Sequence, residues 1–237
     1  MSDLMDLCNA DSNENYPKWG VIDAAWWQTF GGDDYLNKYK DSYLIYHKSS
    51  IKKIASQYKI PADLLGSVAR IEAGGKPDGV KQYVVLPIRQ LDYSGPDWID
   101  KHLTMTNPPE NTSIGIVAIQ IRIISEMFGK NPEKLSINDV NYISNCLQKD
   151  IFNLNVVAKH LHDLIVYDFP DIDTTNLTDE QFIIAGSRYN RGKERNLHDF
   201  KQSINADTSD YSSRVYTSYG RTMLRNRNKV KALLEIK

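Results

Sequence analysis

The chain is 237 residues long, 41% hydrophobic and 25% charged, a globular composition that excludes a disordered, collagen-like or low-complexity protein. Its 29 Lys+Arg against 30 Asp+Glu give a net charge of -1, which leaves no overall cationic field to draw in nucleic acid or anionic lipid. One elaborated domain with a sizeable core fits this length, and no apolar run approaches the roughly 20 residues needed to span a bilayer.

Residues 1–48 read as a polar tail and a Trp-rich segment that packs on a main body of residues 49–237. The opening MSDLMDLCNADSNENY has neither the basic nor the apolar region of a secretory signal, so synthesis in the cytoplasm is expected. Cys8, in that tail, and Cys146 are the two cysteines. With no CxxC and no Cys/His cluster they make neither a metal site nor a disulfide scaffold, and a single bridge between them is not expected. WGVIDAAWWQTF then carries Trp19, Trp26 and Trp27. Burial is the commoner fate of such aromatics, so packing is expected ahead of a docking surface for a partner. Gly31-Gly32-Asp33-Asp34 breaks the segment.

Helix signals are dense from Ser49 onward. SSIKKIASQYK places Ile51, Ile54, Ala55 and Tyr58 on one face, and Pro61 suits the first turn of the next helix. That helix, PADLLGSVARIEAGG, carries Leu64, Leu65, Val68 and Ala69 at helical spacing and stops at Gly74-Gly75. Residues 76–110 are punctuated by Pro and Gly and read as a long irregular loop, with Tyr83-Val84-Val85-Leu86 as a candidate hairpin strand. A helix is expected again over SIGIVAIQIRIISEMFG, with Ile116, Ile119, Ile123 and Met127 as its stripe. Ser136 and Asp139 open a helical region running to about Tyr167, and Thr178 with Gln181 forms a capping box before Phe182, Ile183 and Ala185. A last helix is expected over 211–234, its Arg221, Arg225, Arg227 and Lys229 forming a solvated face rather than a nucleic-acid patch. The class is mainly α with a little β, a helical bundle beside a long loop or small hairpin.

One residue departs from its local pattern. The stripe Leu65, Val68/Ala69 continues one turn later onto Glu72, which puts a carboxylate on the core-facing side at the end of a helix. Desolvation and the negative end of the helix dipole both favour its protonated form, the state a general acid needs. The opposing reading pairs Glu72 with Arg70, Arg89 or Arg122, or lets it fray into solvent.

The order of motifs resembles the lysozyme-like superfamily of goose-type lysozymes and soluble lytic transglycosylases, over roughly residues 50–225. Ser67-Val68-Ala69-Arg70-Ile71-Glu72-Ala73-Gly74 is similar to the family's apolar-apolar-Glu-Ser-Gly helix, and IASQYKIPADLL to its lead-in. Ser113-Ile114-Gly115-Ile116-Val117-Ala118-Ile119-Gln120-Ile121-Arg122 is similar to the family's Gly-x-x-Gln-Ile segment, most of all to its SxGxxxIQIR form in toxins of interbacterial secretion systems, the type VI system among them. Ala185-Gly186-Ser187-Arg188-Tyr189-Asn190 matches a Tyr-Asn pair after a helix. Ala73 stands where the family has serine, and Ala118 where its first glutamine falls. On a helix, Gln120 would point about 200° away from that glutamine's direction.

The resemblance implies a lysozyme-like fold and cleavage of the β-1,4 bond between N-acetylmuramic acid and N-acetylglucosamine in peptidoglycan. Glu72 would be the acid, and Gly115, Gln120, Tyr189 and Asn190 would contact substrate. A second carboxylate, from Asp78, Asp92 or Asp97 in the loop, would decide between a muramidase and a lytic transglycosylase; each of the three also reads as a turn or cap residue. The opposing reading of Tyr189 and Asn190 is a core tyrosine and a helix C-cap, and the resemblance favours the substrate role. His160 and His162, two apart, face away from each other as metal ligands. No cofactor and no metal are implied. The resemblance further implies an antibacterial effector exported without a signal peptide to act in a target cell's periplasm. Its partners would be glycan strands, a secretion carrier and an immunity protein, with neither nucleic acid nor membrane insertion. A catalytically inactive glycan-binding or adaptor module is the alternative.

Overall fold

The structure, a computed structural model, describes residues 2–10, 14–75, 81–92 and 107–237. The fold is mainly α with one two-stranded antiparallel hairpin among the described residues, the class that the helix signals predict. The chain divides into two compact units, each made of two segments: residues 1–40 with 72–156, and residues 41–71 with 157–237. Among the described residues no helix is long and apolar enough to cross a membrane.

In the first unit, the expected polar tail is a tethered helix. Helix α1 (Ser2–Asn9) buries Leu4 and Cys8, and Cys8 is bridged to Cys146 with their Cα atoms 5.0 Å apart. This corrects both the reading of residues 2–10 as a polar tail and the expectation of unbridged cysteines. The tether is long-range, so no local pattern encodes it: Lys149 Nζ donates to the carbonyls of Cys8 and Ala10 at 2.6 and 2.9 Å. Tyr16 N donates to Asp150 Oδ2 at 2.7 Å, and Asp150 N donates to Asn15 Oδ1 at 2.9 Å. The bridge closes a loop with a sequence separation of 138, so its reduction, or Cys8→Ser with Cys146→Ser, is expected to lower stability by about 2–5 kcal/mol. Thermal melts with and without reductant check it, the double variant being insensitive to reductant.

Beyond α1 come α2 (Val21–Trp26), a π turn (Trp27–Gly31) and α3 (Gly32–Tyr46), which carries the chain to residue 40 and on into the second unit. Lys81–Val85 is a second π turn leading into α6 (Leu86–Asp92), where the candidate strand Tyr83–Leu86 was expected. The hairpin lies later, with β1 (Ser113–Ile114) paired to β2 (Ile119–Gln120), Ser113 opposite Gln120 and Ile114 opposite Ile119. The helix expected over 113–129 therefore exists only as α7 (Ile121–Met127). The reason is steric: Gly115 takes φ +89°, and a Cβ there would stand 2.5 Å from Asn153 Nδ2 and 2.7 Å from the Leu147 carbonyl. Asn153, wholly buried, accepts from Val117 N at 2.9 Å and donates to Val117 O at 3.0 Å, holding the turn as a third strand would. Helix α8 (Ile137–Leu147) opens with the Ser136/Asp139 capping box as expected. Lys130 and Ser136 hold the Asp139 carboxyl down at about 2. Helix α9 (Asp150–Asp168) supplies Phe152, Leu154 and Val156 to this unit's core.

The second unit contains α4 (Lys48–Gln57), α5 (Ala62–Glu72) up to Ile71, the rest of α9, then α10 (Asp179–Arg191), α11 (Leu197–Asn205), α12 (Tyr211–Arg214) and α13 (Ser218–Leu234). The single last helix expected over 211–234 is interrupted by a 3-10 turn at Val215–Thr217, and α11 was not foreseen. Helices α10 and α13 pack backbone against backbone: a Cβ on Gly220 would lie 2.0 Å from the Ile183 carbonyl oxygen. The C-terminal cations form a solvated face only in part: Arg225 and Lys229 are exposed, whereas Arg221 and Arg227 are half-buried and engaged. Arg227 donates through Nε to Asp63 Oδ2 at 2.6 Å and pairs with Asp179 at 3.1 Å, while Lys229 pairs with Asp41 at 2.7 Å. Arg221 Nη2 donates to the carbonyls of Ser203 and Ile204 at 2.5 and 2.8 Å, closing the end of α11.

Candidate functional site

Glu72 is the last residue of α5 and is half-buried, where the stripe predicted a core-facing carboxylate. The helix reaches it because Leu64, Leu65, Val68 and Ala69 are fully buried. It ends because Gly74 and Gly75 both take left-handed backbone, φ +74° and +91°. At Gly74 glycine is also required by space, since a Cβ would meet Leu36 at 2.9 Å and Tyr39 at 3.0 Å. The carboxylate thus sits on a fixed helix end with part of its surface open to solvent. Ala73, wholly buried, has room for a methyl group where a serine would bury a hydroxyl. Of the cations weighed as partners for Glu72, Arg70 Nε donates to Asp41 Oδ1 at 2.7 Å. Arg89 Nη1 donates to Thr112 Oγ1 at 2.8 Å, and Arg122 Nε to Gln120 Oε1 at 2.7 Å.

Gly115 and Gln120 belong to the same compact unit as Glu72. Gly115 has a packing reason of its own, the close approach of Asn153. Gln120 closes β2 rather than standing on a helix, so the 200° objection does not apply. Ala118 and Gln120 are both half-buried on either side of buried Ile119, the period of an extended chain. Of the three candidate second carboxylates, Asp92 closes α6, and Asp78 and Asp97 lie outside the described residues.

A fourth carboxylate emerges instead. Glu110, in the 3-10 turn Pro109–Asn111 just before β1, is half-buried. Burial pushes its carboxyl above the ordinary range, and the nearby Glu133 charge adds to that, against its own backbone hydrogen bond and Arg122, which pull it down. The two prolines ahead of it, Pro108-Pro109, were the available sequence signal. A carboxyl whose folded pKa is raised favours folding at low pH, and that contribution is lost as pH rises through the folded value. Glu110→Gln is therefore expected to raise the Tm at pH 7 and to leave it unchanged below about pH 4, where the unfolded carboxyl is also protonated. Melts at the two pH values check the sign.

In the second unit, Tyr189 and Asn190 occupy the last turn of α10. Asn190 is exposed and is not the cap, a role taken by Gly192 at φ +82°. Tyr189 is half-buried in a row of rings, with His160 at 5.9 Å and Tyr219 at 6.3 Å. His160 was dismissed with His162 as a metal ligand, and its grouping with Tyr189 depends on a contact from α9 to α10 that spacing does not reveal. Arg188 fixes the loop that follows: its Nη1 donates to the carbonyls of Gly192, Lys193 and Arg195 at 3.3, 3.2 and 2.5 Å.

Comparison with protein-family models, curated proteins and solved structures finds no match. Among the described residues no group of three His, Cys, Asp or Glu side chains is placed to hold a metal ion. The first unit offers a solvent-accessible carboxylate on a helix end and a second carboxyl whose burial favours its protonated form; the second unit separately offers an exposed amide beside a half-buried phenol ring.

Proposed function

We propose that this protein is a peptidoglycan-degrading glycosidase, a muramidase or lytic transglycosylase, in which Glu72 protonates the leaving glycosidic oxygen. The observation that supports this most is the end of α5: a half-buried glutamate held by buried apolar turns on one side and two left-handed glycines on the other. A general acid must be fixed yet reachable by a bulky sugar, and that arrangement meets both needs. The short hairpin with Gln120, in the same unit, agrees with the motif order that led to the proposal. After protonation and bond cleavage, the sugar cation is captured by water or by the sugar's own hydroxyl. Water capture is generally assisted by a second carboxylate, and Glu110 joins Asp78, Asp92 and Asp97 as a candidate. Action on another cell's wall, with a secretion carrier and an immunity protein as partners, extends the same proposal.

Ala118, together with the engagement of the Gln120 amide by Arg122, favours the second reading, a glycan-binding module without turnover. Purified peptidoglycan digested with the protein and analysed by mass spectrometry separates these. Anhydro-muropeptides identify a transglycosylase, and products heavier by one water a hydrolase. Binding with no soluble product leaves the module, and neither binding nor product rejects both.

A further inference from the structure

Residues 19–30 carry aromatic rings with opposite fates. Trp19 is 1% exposed, its ring against Tyr39 at 4.8 Å and Tyr35 at 5.5 Å, and Ala24 is also buried. On the other side Val21, Ile22, Trp26 and Phe30 are 67%, 84%, 51% and 79% exposed. Ile22, Trp26 and Phe30 follow one another at i, i+4 spacing along α2 and the π turn, with Val21 and Ala25 exposed beside them and the Trp26 and Phe30 rings 5.2 Å apart. Of the three indoles expected to pack, Trp19 is buried and Trp27 is half-buried 6.5 Å from it, whereas Trp26 stands exposed.

The face is held rigid from behind. Asp23 accepts from Gly20 N at 2.8 Å and from the Tyr35 hydroxyl at 2.7 Å, pinning α2 to α3. Gly31 lets the turn close, since a Cβ there would stand 2.7 Å from Tyr35 and 3.0 Å from Trp26. A large apolar surface presented without flexibility costs little ordering entropy when covered, which is how a recognition surface is built.

Charge narrows the partner. Residues 19–37, between Lys18 and Lys38, contain Asp23, Asp33 and Asp34 and no Lys or Arg, and Asp33 and Asp34, three and four residues after Phe30, are exposed in the first turn of α3. The first unit as a whole has 11 Lys+Arg against 17 Asp+Glu, a net -6, which the second unit's 18 against 13, net +5, conceals in the total of -1. Aliphatic Val21 and Ile22 within the ridge suit an apolar counter-surface better than a sugar ring, and the acidic rim repels anionic lipid. We propose that Val21, Ile22, Trp26 and Phe30 form a docking face for a partner protein's helix, apolar along one side and flanked by lysines or arginines.

The full chain is titrated into a labelled 18-residue helical peptide with leucines along one face and flanking lysines, and fluorescence anisotropy is read. The controls are a twin peptide flanked by glutamates and vesicles of phosphatidylcholine with phosphatidylglycerol. The lysine peptide is expected to bind and the glutamate peptide not. Ile22→Ser with Phe30→Ser should weaken binding by about tenfold or more. Asp33→Asn with Asp34→Asn should weaken it several-fold and flatten its salt dependence, with the Tm of both variants unchanged. Equal binding of the two peptides, binding untouched by Ile22→Ser with Phe30→Ser, or binding of neither peptide overturns the proposal. So does association with vesicles alone, which would make the face a lipid-seeking one.

Discussion

Replacing Arg188 by methionine, or Asp168 by asparagine, is expected to destabilise the second unit by about 3–5 kcal/mol, the cost of leaving one buried charge without its partner. The two side chains are 1% and 3% exposed and meet in a fork, Nε to Oδ2 and Nη2 to Oδ1, both at 2.8 Å. The remaining nitrogen satisfies three carbonyls of the loop after α10, and the guanidinium lies 4.5 Å from the Phe200 ring centre and 5.4 Å from that of Tyr167. Loss of the arginine thus removes an ion pair, orphans three carbonyls and unpacks two rings. Urea denaturation of each single variant and of the double variant checks this. Both singles should lose stability, and the double should lose less than their sum, because the second change removes a charge already stranded. Additive losses would mean that the two groups do not act as one unit.

How much of this was legible depended on range along the chain. Caps and stops are local, so the Ser136 and Thr178 boxes and the Gly74-Gly75 stop were readable, and the helices they bound follow. Burial of Arg188 was not, because its partner stands 20 residues earlier on another helix. The same holds for α1, whose anchor Lys149 lies more than a hundred residues away, for Tyr16 on Asp150, and for the Cys8–Cys146 bridge. The hairpin was misread for a different reason. Its isoleucines at 114, 116, 119, 121 and 123 satisfy helical and extended periods alike, and only the Asn153 contact at Gly115 decides between them. At the candidate site, Glu72 was legible because a carboxylate continuing an apolar stripe is a local anomaly. Glu110 was not, since what distinguishes it is how far the fold buries it.

Glu72→Gln is expected to lower the rate of muropeptide release from purified cell wall by about 10²–10⁴-fold, the usual contribution of a general acid. Glutamine preserves the volume and the hydrogen-bonding oxygen but has no proton to give the leaving group. At a half-buried helix end the change should move the Tm little, so loss of activity cannot be charged to unfolding. Glu110→Gln is the internal comparison. If Glu110 assists water, its loss lowers the yield of the water-bearing product alone, whereas loss of Glu72 lowers every product, because protonation precedes both fates of the sugar cation. Wall release undiminished in Glu72→Gln would remove the proposed acid. A wild type that binds glycan but releases nothing would assign the end of α5 to binding alone, with Ala118 and the Arg122-held Gln120 as the residues to restore first.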